Sequence, residues 1–468
     1  MTGSTPSEGG SFDAIVIGAG VVGCAIARSL ALAGARVAVL EKGADILDGA
    51  SKANSAILHT GFDAPPGSLE ARCVAAGHAE YLAIREALGL PLDRSGALVV
   101  AWSEAEEALL PALMDQARQN GVDDVEPLGA TALRAIEPNL APGARAAFRI
   151  PREYLIDPWS APHAYLAQAI AHGATLVRSC TVTGGDFDGR AWRIKTTRGP
   201  FTGGLVINAA GLFGDDLDAR LLGRRDFVIR PRKGQFIVYD KPAAALVGHI
   251  ILPVPNKVTK GIVVCRTVWG NVLVGPTAEE QEDRETAALV PATLDALRRR
   301  GEEIVPALRE QEITAIYAGL RPASDDKEYR IRAHPDASMV TVGGIRSTGL
   351  SAALGIAQHV LGLVQEMGHH WRAPDAIRWP RLRNIAETAP RDWQESGNGG
   401  IVCHCERVTR REVMDAMEGP LGARSVAGLK RRTRVTMGRC QGFYCSAELA
   451  RLTEGRLAEP VVPRDAAP

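Results

Sequence analysis

Four of the eight cysteines stand in two close pairs, Cys403-x-Cys405 and Cys440-x4-Cys445, with thirty-four residues between the pairs. Thiolates are soft ligands, and four of them in one place suit zinc or a [2Fe–2S] cluster. Zinc ribbons usually space each pair as C-x-x-C, a pattern both pairs here depart from, so spacing alone leaves the two metals as alternatives. Cys24, Cys73, Cys180 and Cys265 are scattered singly. In a reducing compartment this grouping predicts metal rather than disulfides. A second chemical set opens the chain. Gly18, Gly20 and Gly23 follow G-x-G-x-x-G, and Glu41 comes about 20 residues later. Glycines there allow a tight turn and let a pyrophosphate approach a helix N-terminus, while the carboxylate is placed for a ribose hydroxyl. FAD and NAD present the same ADP half, so this fingerprint does not choose between them.

The residues around each set read as the elements that would hold it. Phe12 to Gly18 is a buried parallel strand, Val21 to Ala33 an apolar helix, and Arg36 to Glu41 a second strand. Leu205 to Ala210 is another strand, ending in small residues before Gly211. From Asp226 to Thr277 short β-rich runs alternate with Pro and Gly breaks, predicting an antiparallel sheet. A linker rich in Pro, Arg and polar residues, about 371–399, precedes the cysteines, which lie among two short helices, Thr409 to Met417 and Ala447 to Leu452. A chain of 468 residues implies two or three folding units. Lys plus Arg equal Asp plus Glu at 54 each, so no global field draws nucleic acid or anionic lipid. The polar N-terminus MTGSTPSEGGS lacks the features of a secretory signal, and the apolar run Ala14 to Ala27 is broken by glycines and shorter than the roughly 20 residues that span a bilayer. The expectation is a cytoplasmic protein without a transmembrane segment, or one held peripherally at the inner membrane through a partner.

The stretch Gly49-Ala-Ser-Lys-Ala-Asn-Ser-Ala-Ile-Leu-His59-Thr-Gly61 resembles the second flavin-contacting segment of the D-amino-acid oxidase superfamily, which includes glycerol-3-phosphate dehydrogenases and L-2-hydroxyglutarate oxidases. Val206-Ile-Asn-Ala-Ala-Gly211, Gly275-Pro-Thr277, Tyr317-Ala-Gly-Leu-Arg321-Pro and Gly343-Gly-Ile-Arg-Ser-Thr-Gly349-Leu follow in that family's order. The resemblance implies FAD. It also implies a discontinuous Rossmann-like α/β FAD domain (about 11–80, 145–225 and 320–368) and an antiparallel α+β substrate domain (about 81–144 and 226–319) within residues 11–370. Lys42, Ser51, Asn54, Ser55, His59 and Thr60 then join the glycines and Glu41 as expected cofactor contacts, as do Ala210 and Gly211. Gly344, Arg346, Ser347, Thr348, Gly349 and Leu350 form a second glycine-rich helix start that would face the flavin ring and stabilise its anionic reduced form. The run Leu429-Lys-Arg-Arg-Thr-Arg-Val-Thr-Met437-Gly-Arg-Cys440-Gln-Gly is similar to the C-terminal domain of the FAD subunits of anaerobic glycerol-3-phosphate dehydrogenases. That domain, of the bacterioferritin-associated-ferredoxin type, implies a small α-rich unit at about 400–456 with a [2Fe–2S] cluster on Cys403, Cys405, Cys440 and Cys445.

Oxidation at a carbon bearing oxygen or nitrogen needs hydride transfer, a base and an orienting clamp. Arg321 matches the family's substrate-binding arginine, and a planar five-donor fork suits a carboxylate or phosphate. His59 is the first candidate base and His249 the second. Lys257, Lys260 and Arg266 would add positive charge over an anionic substrate. Arg431, Arg432 and Arg434 read as a basic face that docks an acidic partner, tunes the cluster or is simply solvated. L-2-hydroxyglutarate oxidases carry a histidine where this chain has Val263, which disfavours 2-hydroxyglutarate. The expected activity is FAD-dependent dehydrogenation of a small anionic alcohol, glycerol 3-phosphate-like or a 2-hydroxy acid. Electrons would pass through the cluster to an acceptor protein, a partner subunit or a quinone, and assembly as a homo- or hetero-oligomer is compatible with this. The alternatives are a hydroxyproline- or opine-type amine or imino-acid dehydrogenase component, and a non-catalytic electron-transfer component.

Overall fold

The computed structural model describes residues 10–255 and 261–461. Its first layer is a sheet whose parallel core places Phe201–Asn208, Ser11–Ile17, Val37–Leu40 and Thr175–Val177 side by side, with Met339–Gly343 parallel on the other flank of Phe201–Asn208. The strands are continuous apolar runs because both faces are covered. Helices Val21–Leu32, Ser160–Ala171 and Gly349–Glu366 pack on one face. Glycines permit the closest approaches. A Cβ on Gly23 would stand 1.9 Å from the Gly18 carbonyl, so the third glycine of the fingerprint is required for the turn to close on its helix. Gly77 and Gly355 do the same where Leu69–Leu88 crosses Gly349–Glu366, since Cβ atoms there would lie 2.1 Å from the Ser351 and Cys73 carbonyls.

The second layer is a nine-stranded, mainly antiparallel sheet. Its longest pair is Ile229–Tyr239 with Ile313–Ser324, in a register that sets Arg232 opposite Arg321 and Gly234 opposite Gly319. Two expected boundaries shift. Ala146–Ile150 pairs with Ala97–Ala101 and so belongs to this sheet, whereas all of helix Leu69–Leu88 packs into the first layer through Cys73, Val74, Tyr81, Ile84 and Leu88.

The C-terminal unit has its own core of Val402, Val408, Val413, Leu429, Val435 and Leu449. It contains three helices rather than the two expected: Arg410–Asp415, Val426–Thr433 and Ser446–Leu452. Gly428 and Thr433 weaken the middle helix in sequence, but Ser425 caps it by accepting the Gly428 N–H, and Lys430, Arg431 and Arg432 fill its last turn, where cations suit the helix dipole. Gly428 is needed by position, because a Cβ there would overlap the Asp45 carboxylate of the first layer. Among the described residues no helix is long and apolar enough to cross a membrane.

Candidate active site and cluster site

One cavity of about 1390 Å³ runs between the two layers, larger than the roughly 300–1,000 Å³ of an ordinary small-ligand pocket. Gly18, Gly20, Glu41, Lys42, Ser51, Asn54, Ser55, His59, Ala210 and Gly211 line it, as do Arg321 and Arg346 to Leu350. Gly23, Thr60 and Gly344 do not. Gly23 closes the turn, Thr60 is buried behind His59, and Gly344 takes a left-handed φ of 64° against Ser324 and Arg330.

At the glycine-rich end the Glu41 carboxylate accepts the Ala19 and Gly43 N–H groups, each at 2.8 Å, and burial raises its pKa against these bonds. Each carboxylate oxygen keeps a second lone pair, so the group can still accept a ribose hydroxyl. Ser51 Oγ accepts the Val21 N–H at 3.0 Å, tying the 49–55 segment to the first helix. Asn54 accepts the Ala56 N–H at 2.7 Å and donates to the Ser51 carbonyl, so its side chain shapes a turn. The Lys42 ammonium sits 3.7 Å over the Phe213 ring and pairs with Glu285. Helix start, acceptor-ready carboxylate and glycine cradle fit the ADP half of a dinucleotide, and they would hold it there.

At the other end Arg321 donates to the Thr277 carbonyl at 3.0 Å, and among the described residues no carboxylate lies within ion-pairing distance of it. Burial, then the nearby charges of Arg232 and Arg346, pull its pKa down to about 10. Arg232 also lines the cavity and carries no sequence signal, because only the strand register sets it beside Arg321. His59 Nδ1 lies 2.8 Å from Glu153, whose carboxylate also accepts the Thr60 N–H and hydroxyl at 2.6 and 2.7 Å and is 0 % exposed. Glu153, in a short Pro-Arg-Glu-Tyr turn, has no signal in the sequence either. Ser351 Oγ accepts the His59 backbone N–H at 2.8 Å, so ring and backbone are both fixed.

His249 is not part of this site. Its Nδ1 and backbone N–H both meet Glu137, at 2.7 and 2.5 Å, and it does not line the cavity. Arg266 pairs with Asp93 and is likewise outside the lining. Lys257 and Lys260 lie outside the described residues.

The four C-terminal cysteines converge on one place as two contacting pairs. The Cys405 thiol meets Cys440 and the Cys445 thiol meets Cys403. Among the described residues no three of these side chains already stand as a closed metal cage. Backbone N–H groups of Tyr444, Gly442 and Phe443 converge on the Cys440 sulfur and lower its pKa, a donor nest of the kind that favours a thiolate ligand. Burial raises the Cys445 thiol to about 12, a proton that cluster binding would displace. This donor set fits a sulfur-ligated cluster. Phe443 and Tyr444, 81 % and 77 % exposed, project from the same loop.

The basic run is not a solvated or partner-facing surface. Arg432 donates to Asp45 at 2.7 Å, Arg431 pairs with Asp48 and bonds the Ile46 carbonyl, and Arg434 pairs with Glu406 at 2.8 Å, all three with side chains at most 7 % exposed. They bind the cysteine-bearing unit internally, Asp45 and Asp48 belonging to the loop that follows Glu41.

A dinucleotide cavity between a parallel α/β layer and an antiparallel roof, with a buried arginine and a carboxylate-held histidine at one end, defines a flavin-dependent oxidoreductase. Residues 13–363 match the FAD dependent oxidoreductase family, and the chain belongs to it. Residues 401–454 match the BFD-like [2Fe-2S] binding domain, so its cofactors are FAD and a [2Fe–2S] cluster. The chain is 32% identical to a glycerol 3-phosphate dehydrogenase of Caloramator mitchellensis, covering 93% of this chain and 92% of that protein. It is 27% identical to one component of the anaerobic glycerol-3-phosphate dehydrogenase of Escherichia coli K12, over 95% of this chain and 88% of that one. Among solved structures it is similar to the dithionite-reduced L-α-glycerophosphate oxidase of Mycoplasma pneumoniae with FAD bound. There the TM-score is 0.74 and the identity 26%, covering 82% of this chain and 100% of the other.

Proposed function

We propose that this protein is a dehydrogenase for glycerol 3-phosphate or a closely similar phosphorylated alcohol, passing electrons to an external acceptor rather than directly to oxygen. When bound, FAD accepts hydride and the cluster takes electrons singly. The observation that carries the reading is the largely desolvated Arg321, which has no carboxylate within ion-pairing distance among the described residues and lies beside Arg232 and Arg346. Arg232 is already paired with Glu280 at 2.8 Å, so the charge that awaits a partner is that of Arg321, with Arg346 beside it. A desolvated, uncompensated guanidinium is costly until an anion arrives, and its planar fork suits a phosphate. The activities named for the Caloramator and Escherichia relatives support the same substrate.

Arg321 would hold the phosphate and so fix the carbinol carbon against the cofactor ring. With Glu153 accepting from His59 Nδ1, Nε2 would be the nitrogen that takes the proton of the substrate hydroxyl. The N-terminus of Gly349–Glu366, with its backbone N–H groups, would stabilise negative charge at the ring. The exposed Phe443 and Tyr444 beside the cluster ligands support electron exit to a separate acceptor, a protein or a quinone.

The test is an anaerobic titration of the holoenzyme with glycerol 3-phosphate, 2-hydroxy acids and hydroxyproline, followed at the flavin absorption band. Bleaching by glycerol 3-phosphate at the lowest concentration is expected. Bleaching only by hydroxyproline or a 2-hydroxy acid would move the substrate assignment, and bleaching by none would leave a non-catalytic electron carrier.

A further inference from the structure

An unbroken line of contacts joins the cavity wall to the cluster ligands. The wall segment 50–55 includes Lys52, whose carbonyl accepts the Trp159 indole N–H at 3.2 Å. Trp159 stacks on Trp269, ring centroids 5.0 Å apart and planes at 19°. The Arg434 guanidinium lies 4.4 Å from the Trp269 ring centroid, donates to Asn271 at 3.2 Å and to Glu406 at 2.8 Å, and Glu406 adjoins the ligand Cys405 in sequence. Trp269, Arg434 and Glu406 are 4 %, 4 % and 2 % exposed, so the cluster-side part of the line is dry, and Trp159 on the cavity side is half-buried. A second connection runs beside it. Gln441, in the ligand loop, donates to the Thr314 carbonyl, and the strand that starts there reaches the wall again where the Tyr317 hydroxyl donates to the Asn54 carbonyl at 2.8 Å. Both connections end on residues 52–54.

We propose that Arg434 is a positioning residue that seats the cluster-bearing unit on the Trp159–Trp269 stack, and that this stack is where electrons cross from flavin to cluster. The inference rests on the redox reading above but not on its substrate. The reduced flavin holds two electrons. One passes to the oxidised cluster, a one-electron acceptor such as a protein or quinone then removes it from the cluster, and the second follows the same way. The flavin's protons go to solvent. Tunnelling decays exponentially with separation, so a packed and immobile junction serves this step better than a tethered unit that must find its contact. Arginine suits the position because its planar fork stacks on an indole while bonding a carboxylate and an amide, which a lysine cannot do together.

The experiment uses the full-length holoprotein and reduces the flavin by a light flash with deazaflavin and a sacrificial donor, so that the result does not depend on any substrate. Reoxidation of the flavin and the electron paramagnetic resonance signal of the reduced cluster are followed together. In Arg434→Met the flavin is expected to be photoreduced as in wild type, while transfer to the cluster slows at least tenfold and chemical reduction with dithionite still develops the full cluster signal. Trp269→Leu, which leaves the Arg434–Glu406 pair in place, should slow transfer likewise, and Arg434→Lys should recover part of the rate. A merely structural role would lower the dithionite signal instead of the rate. Transfer at the wild-type rate in both Arg434→Met and Trp269→Leu overturns the proposal, and so does a loss of rate matched by loss of the cluster itself.

Discussion

Two groups of arginines do opposite things in this molecule. Arg321, Arg232 and Arg346 converge on the cavity, and the innermost of them has no carboxylate within reach among the described residues. Arg232 pairs with Glu280, while Arg431, Arg432 and Arg434, with side chains at most 7 % exposed, each meet a carboxylate, Asp48, Asp45 and Glu406 respectively. Desolvation penalises the charge of Arg321 as it does that of Arg431. The difference is whether the compensating charge is built into the chain or has to arrive with a ligand, so Arg321 binds and the second group fastens.

The largest effect that would break this contrast is expected in the fastening group. Arg432→Met leaves Asp45 without its shortest cation contact, and breaking a buried pair from one side costs roughly 3–5 kcal/mol. Differential scanning calorimetry should show a clearly lower transition, and limited proteolysis should release the cysteine-bearing unit. An unchanged transition would mean that the pair does not hold that unit.

In the binding group the signs should separate. Arg321→Met is expected to lower kcat/KM for glycerol 3-phosphate by about 30- to 1000-fold, the equivalent of roughly 2–4 kcal/mol of lost charge-assisted binding. The same substitution should raise the Tm of the substrate-free protein by roughly 2–4 °C, because a buried guanidinium whose pKa is depressed to about 10 destabilises the fold in its charged form. A fall in both activity and Tm would place Arg321 with the fasteners.

The smallest effect concerns pH. Asp392, fully buried, is pushed up by desolvation, yet hydrogen bonds from Arg411, Thr409 and Arg383 outweigh this and hold it at about 2. A carboxylate depressed in the folded state stabilises above its unfolded pKa, and that contribution, about 2 kcal/mol, is lost as pH falls from about 4 toward 2. Urea titrations at pH 5 and pH 3 should show wild type losing stability relative to Asp392→Asn, and parallel losses would mean that Arg411 and Arg383 do not hold the Asp392 carboxylate ionised.

Legibility follows the distance between interacting residues. The glycine turn, Glu41 and the 49–61 segment are local patterns, and the structure lines the cavity with most of them. Glu153 is invisible in the sequence because its meaning lies in His59, 94 positions away, and Arg232 because only strand register brings it to Arg321. His249, the second candidate base in the sequence, is held by Glu137 and does not line the cavity. The Leu429–Arg434 run misleads for the same reason: a string of cations reads as surface, and its partner Asp45 is 387 residues earlier.

By itself the sequence determined the glycine turn of a dinucleotide site and the two close cysteine pairs, since short spacings carry these, while the choice of a flavin and of a [2Fe–2S] cluster came from resemblance to a known family. Only the tertiary structure decided which charges are compensated and which await a ligand, and which aromatic rings link the cavity to the cysteines. Electrostatic and stacking energies depend on separation in space, and for Arg321, Arg432 and the Trp159–Trp269 pair that separation is set by packing across the whole chain.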